Sequence, residues 1–138
     1  MQQTARKTLE QVVEDYGHYP IEAFEFVRLG LSHAVQQIHG DTKDKSEASC
    51  HVNGQQLAWG LRDFAIARYG YIAQAVLAHW HIHRTLDFGK IVFAMVESKL
   101  LQKTDDDDLR DFEGVFDFDS AFAVKPTPAA KPSVVFSL

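Results

Sequence analysis

Through most of the chain, apolar residues recur at three- and four-residue intervals, the spacing that lines one face of an α-helix. Leu9, Val12, Val13 and Tyr16 form such a stripe in a first helix over Thr4 to Tyr16, and Gly17 stops it. Pro20 suits the first position of a second helix, where its missing N–H costs nothing. On that helix Phe24, Val27, Leu31, Ala34, Val35 and Ile38 share a face, and Gly40 supplies the stop. Phe26 and Leu29 point the opposite way, toward the first helix or toward a partner.

From Asn53 to Leu101 the pattern predicts three helices joined by very short turns. Asn53 caps a third helix that ends near Tyr69, with Leu57, Leu61 and Phe64 on one face and Trp59 and Ile66 on another. A helix apolar on two sides is expected at the centre of a small domain, with both faces covered. Tyr71 to Trp80 reads as a short fourth helix presenting Ile72, Ala73, Val76, Leu77 and Trp80 to the core. A fifth begins near Thr85 or Asp87, either of which can cap it, and buries Phe88, Ile91, Val92, Met95 and Val96. Thr104 followed by Asp105, Asp106, Asp107 and Asp108 is a further helix-start signal, because acids in a first turn complement the helix dipole.

Beyond Phe112, the alternation of Phe116, Phe118, Phe122 and Val124 with polar residues suits a strand, although a short helix fits as well. The fold class is therefore mainly α, a compact bundle of about five or six helices with a short β element near the C-terminus as an option. Residues 1–124 read as one helical domain. Asp41 to Ser49, polar and aperiodic, read as a surface loop. Residues 125–138 read as a tail, where Pro126, Pro128 and Pro132 lead to Val134, Val135 and Phe136, and this tail docks on its own domain or on another chain.

Composition narrows the setting. With 46% hydrophobic residues in 138, the chain can bury a core without disulfides, and the single cysteine, Cys50, cannot form one internally. No signal-peptide pattern opens the chain, and the apolar runs are broken well short of the roughly 20 residues that span a bilayer, so a cytoplasmic protein without membrane contact is expected. A net charge of -5 disfavours nucleic acid as a partner.

Candidate chemistry is sparse. His79, His81 and His83 alternate, so an extended segment would put them on one face about 6–7 Å apart, whereas a helix would bring together only His79 and His83. No second ligand box accompanies them; the expectation is no metal and no cofactor, with the histidines facing water while Trp80 and Ile82 plug the core. Arg62 and Asp63 flank the Trp59 face and are expected to find partners, for example Arg62 with Asp87. His51 could serve as an acid or base, but nothing in the sequence orients it. The binding candidates are therefore His51, Trp59, Arg62, Asp63, Trp80 and Asp87.

Tyr19-Pro20, Ala23-Phe24, Phe26-Val27, Gly30-Leu31, His51-Val52, Gly54, Leu57, Gly60, Arg62-Asp63 and Tyr69-Gly70 together form a pattern. It continues through Trp80, Ile82, Thr85, Asp87-Phe88-Gly89, Ile91-Val92-Phe93, Phe112, Val115-Phe116-Asp117-Phe118 and Phe122. From Tyr19 to Phe122 the chain resembles a family of short uncharacterised proteins from planctomycete and verrucomicrobial bacteria, a resemblance that implies kinship without an activity, cofactor or substrate. His79 and the Pro-containing tail fall outside that pattern. Three functions remain in order: a binding or regulatory module acting through another protein, a helix-turn-helix-like nucleic-acid binder, and a His-dependent enzyme or metal protein. The helix from Thr85 to Leu101, which would read the nucleic acid, carries only Lys90 and Lys99 against Asp87 and Glu97. Oligomeric state is not encoded in any pattern visible here.

Overall fold

The computed structural model describes residues 8–40 and 51–123, and within them the chain forms helices and no strand. Helix α1, Leu9–Tyr16, opens on a reciprocal cap: Gln11 N–H donates to the Thr8 hydroxyl, while Thr8 N–H donates to the Gln11 side chain. Helix α2, Ile21–His39, follows Pro20, which occupies the cap position one residue before the helix. Helix α3, Gly54–Tyr69, starts on a second reciprocal cap, between Asn53 and Gln56. A 3-10 turn, Gly70–Ile72, leads into α4, Ala73–His79, and then come α5, Thr85–Glu97, a 3-10 turn at Leu109–Phe112, and the one-turn helix α6, Phe118–Ala121. No helix among the described residues is long and apolar enough to cross a membrane. Thr4, the loop Asp41 to Ser49 and the tail 125–138 lie outside the described residues.

Two expectations change and two that were open are decided. The fourth helix begins at Ala73 rather than Tyr71, and Ile72 in the preceding 3-10 turn is exposed instead of core-facing. The acidic run opens one 3-10 turn, which Asp108 caps by accepting from Arg110 N–H; Asp107 closes the preceding turn by accepting from Thr104. The alternating aromatic segment is not a strand: Gly114 turns the chain at φ 61°, Asp117 caps α6 through Ser120 N–H, and Phe118, Ala121 and Phe122 follow helical spacing. The rings of Phe116 and Phe122 meet that of Phe118 at 5.8 and 5.0 Å, and Phe118 reaches Phe88 of α5 at 5.8 Å. Finally, Phe26 is covered by α3 and the end of α4, its ring 5.4 Å from Phe64 and 5.7 Å from Trp80, while Leu29 stays exposed.

The core is one cluster running from Val12 to Phe122, with Phe24, Leu61, Leu77, Ile82, Phe88, Ile91 and Met95 fully enclosed. Helices α2 and α3 make the largest packing interface. At their crossing Gly30 of α2 lies so close to Leu61 that a methyl group would overlap it. On the other side of the bundle the Leu109–Phe112 turn packs on α3 and α5, and the Phe112 ring rests on Gly89. A Cβ at residue 89 would lie 2.7 Å from the ring and 2.8 Å from Phe112 Cβ, an atom that no side-chain rotation can move. Thr85 fixes the same segment from below, its buried hydroxyl donating to the Phe112 carbonyl at 2.6 Å and accepting from Val115 N–H.

Asp87 joins the α1–α2 junction to the turn before α5. Its buried carboxylate accepts from the Tyr19 hydroxyl at 2.6 Å through one oxygen and from the N–H groups of His83 and Arg84 through the other. The α1–α2 junction is thereby tied to the start of α5. Burial first, and then the hydrogen bond to Asp87, push the Tyr19 hydroxyl well above its ordinary value near 10.

These contacts have measurable consequences. Gly89→Ala should destabilise the fold by about 2 kcal/mol, overpacking outweighing the gain in helix propensity, and lower the urea midpoint without changing the slope. Asp87→Ala, which strands a buried hydroxyl and two N–H groups, should cost roughly 3 kcal/mol, and Tyr19→Phe roughly half of that. Above about pH 10 the unfolded chain releases the Tyr19 proton that the folded chain still holds, so stability should fall with rising pH. Alkaline unfolding followed by circular dichroism should show this decline weakened in Tyr19→Phe.

Candidate functional site

The most developed concavity is a cleft of about 510 Å³ between the C-terminal halves of α2 and α5. Leu31 and Val35 of α2 form one wall; Val92 and Val96 of α5, also four residues apart, form the other. Leu57, Phe93, Leu100, Leu101 and Phe112 supply further apolar lining. A polar rim comprises His51, Lys99, Lys103, Thr104, Asp107, Asp108 and Asp111. Apolar walls, a few polar groups and this volume are typical of small-molecule sites.

The rim is organised by hydrogen bonds. His51 Nε2 lies 2.9 Å from Asp107 Oδ1, and the second Asp107 oxygen accepts from the Thr104 N–H at 2.8 Å. His39 Nε2 donates to the His51 carbonyl at 2.7 Å. A partner thus orients His51 after all, one that lies 56 positions away in the chain. Asp108 pairs with Arg110 at 3.1 Å, and this contact holds its carboxyl below the usual carboxylate range. Asp111 accepts from Asp108 N–H. The three acids are each engaged locally, whereas the Lys99 ammonium has no hydrogen-bond or ion-pair partner among the described residues; Lys103 donates to the Thr104 carbonyl at 3.2 Å, and its charge helps to hold the Asp108 carboxyl down.

Lys99 also has an unusual backbone. Leu100 N–H donates to Met95 C=O and Lys99 N–H to Val96 C=O, a helix stop that places residue 99 in the left-handed region at φ 66°. Glycine is the usual occupant, and a side chain there costs on the order of 1 kcal/mol. The end of α4 is built in the same way, with Ile82 N–H to Leu77, His81 N–H to Ala78, and His81 at φ 68°. These two are the non-glycine residues with positive φ among the described residues, and each lines a cleft.

His81 faces a second, more open concavity of about 620 Å³ beside Tyr19 and Trp80, where its ring lies 5.7 Å from that of His18. His79 lines the same surface, but His83 does not, and its backbone N–H is committed to Asp87. Neither geometry weighed for the histidine run is therefore realised. No group of three or more His, Cys, Asp or Glu among the described residues is arranged to hold a metal.

The remaining sequence candidates are dispersed. Arg62 does not meet Asp87: its Nε donates to the Ala121 carbonyl at 2.9 Å, one terminal nitrogen pairs with Asp63 at 2.8 Å, and its guanidinium lies 5.8 Å from the Trp59 ring. Asp87 is fully used in the fold. Trp80 is half-buried against Phe26 and Tyr69. Trp59 is 44% exposed, its ring tilted against that of Phe116 at 4.5 Å between centroids, so its face is only partly covered. Only His51 lines the α2–α5 cleft. Lys99, Lys103, Asp107 and Asp111 escaped sequence reasoning because their proximity to it arises from packing.

No family model matches the chain, and no curated protein or solved structure matches it either. The site's own geometry therefore carries the functional argument. Because Trp59 is half solvent-facing, Trp59→Ala should cost about 1–2 kcal/mol in a urea melt, below the roughly 3–5 kcal/mol of an enclosed tryptophan.

Proposed function

We propose that the chain is a binding module whose α2–α5 cleft receives a small, elongated apolar molecule. The cleft itself is the supporting observation: it is lined by aliphatic residues of α2 and α5 and by hydrogen-bonded polar groups, and its volume suits such a ligand. In this reading the protein-contact module expected from the sequence becomes a ligand-binding one, and regulation of a protein partner would follow from occupancy of the cleft. The His51–Asp107 pair shapes the mouth. The nucleic-acid alternative loses support because the helix that would enter a groove is committed to the core: Phe88, Ile91, Ala94 and Met95 are buried, and Lys90 is its one exposed base.

Titration of the isotope-labelled protein with 1-decanol, followed by amide chemical shifts, tests the proposal. Shifts should concentrate at Leu31, Val35, Val92 and Val96, and Val96→Trp, which fills the cleft, should abolish them while leaving a cooperative thermal transition. Shifts spread over the whole surface, or unchanged in the filled variant, would overturn the reading.

A further inference from the structure

We infer that the chain's own tail, through Lys131 to Leu138, docks in the α2–α5 cleft and competes there with the ligand. The inference rests on the proposed cleft function and adds its regulation from within the chain. Residues 124–138 contain Lys125 and Lys131 and no acid, and Val134, Phe136 and Leu138 recur at every second position, so an extended segment turns all three to one side. The cleft offers the complement: aliphatic side chains of Leu31, Val35, Val92 and Val96 beneath an acidic rim. Asp107, Asp108 and Asp111 line it against Lys99 and Lys103, and Asp105 and Asp106 stand exposed in the turn that Asp107 closes. Even with Arg110, which pairs with Asp108, acids exceed bases there. Lys131 precedes Val134 by about 10 Å of extended chain, so apolar side chains can enter the cleft while its ammonium stays at the rim.

The connection is long enough. Phe122 is buried and the Ala121 carbonyl accepts from Arg62 Nε, so the chain leaves α6 beside the middle of α3. Leu57, which lines the cleft, precedes Arg62 on the same helix by about 7.5 Å along its axis. From Ala123 to Val134 a proline-rich segment can span roughly 34 Å, at about 3.1 Å per residue. A tether of this kind holds its end at an effective concentration on the order of 1 mM. A segment that would bind in isolation with a Kd of only about 0.1 mM therefore fills the cleft about ten times as often as it leaves it empty. A free ligand must displace it, and the ligand's apparent affinity falls about tenfold.

A nitroxide on Ser137→Cys, in a Cys50→Ser background that leaves one thiol for the label, reads the position of the tail in the full chain. Ser137 alternates with Phe136 and Leu138, so the label sits on the side of the extended segment away from the cleft. Amide signals of Val35, Val92 and Val96 should broaden, those of Tyr71 and Ile72 at the α3–α4 corner should not, and added salt should weaken the effect. Phe136→Asp should abolish the broadening and raise the affinity for 1-decanol about tenfold; Lys131→Glu should raise it up to about fivefold, the upper end for one exposed ion pair. No broadening at the cleft, or equal decanol affinity in wild type and Phe136→Asp, would overturn the inference while leaving the cleft reading intact. Broadening in an isotope-labelled chain without nitroxide, mixed with the nitroxide-bearing chain, would put the tail in the cleft of a second copy and overturn docking within one chain. Decanol bound by neither wild type nor Phe136→Asp would overturn the cleft reading and the competition with it.

Discussion

The seating of Phe112 between α3 and α5 is the constraint on which the cleft depends. The neighbouring Asp111 sits so close to Gly54 that a Cβ placed there would lie 2.8 Å from Asp111 Cβ, and the Phe112 ring itself occupies the space that a side chain on Gly89 would fill. The Thr85 hydroxyl locks the carbonyl of the same residue. With that turn fixed, the acids that precede and cap it come to lie opposite His51, so the polar rim is a consequence of aromatic packing several residues away. The two halves of the chain meet there without a sheet to align them.

A second fixed point, Asp87, ties the same first turns of α5 to the α1–α2 junction. A buried carboxylate with one hydroxyl and two N–H donors is tolerable because each oxygen is served, and its directionality sets how α5 leaves the preceding turn. Together with the burial of Phe88, Ile91, Ala94 and Met95, these two contacts hold α5 against the rest of the bundle. Its half-buried residues Val92 and Val96 are thus available to the cleft on a rigid support, the kind of support on which a binding site keeps its shape.

The all-helical architecture was legible because Leu9, Val12, Phe24, Val27, Leu57, Leu61, Phe88 and Ile91 repeat at helical intervals and Asn53, Gly17 and Gly40 punctuate them, whereas the cap at Thr8 was not read. The segment beyond Phe112 was ambiguous for a physical reason: aromatic residues two apart satisfy a strand pattern, while the turn at Gly114 and the cap at Asp117 that decide otherwise are single residues. Of the cleft, only His51 could be singled out. His51 and Asp107 are joined by tertiary packing, and the helix stop at Lys99 is a backbone angle, which periodicity does not report. Arg62 and Asp87, paired on paper by opposite charge, do not meet because each finds a backbone partner, Ala121 C=O and His83 N–H respectively.

The placement of the two tryptophans makes the protein its own optical probe. Trp80, wedged between Phe26 and Tyr69, is shielded from the solvent-facing environment that Trp59 shares with Phe116 and the Arg62 guanidinium. Shielded indoles emit at shorter wavelengths than wetted ones, so loosening of the α3–α4 corner and detachment of the C-terminal aromatic segment would change different parts of one fluorescence spectrum. Neither indole lines the α2–α5 cleft. The intrinsic emission of this chain is therefore a record of how its scaffold responds to an occupant, free of direct contact with the occupant itself.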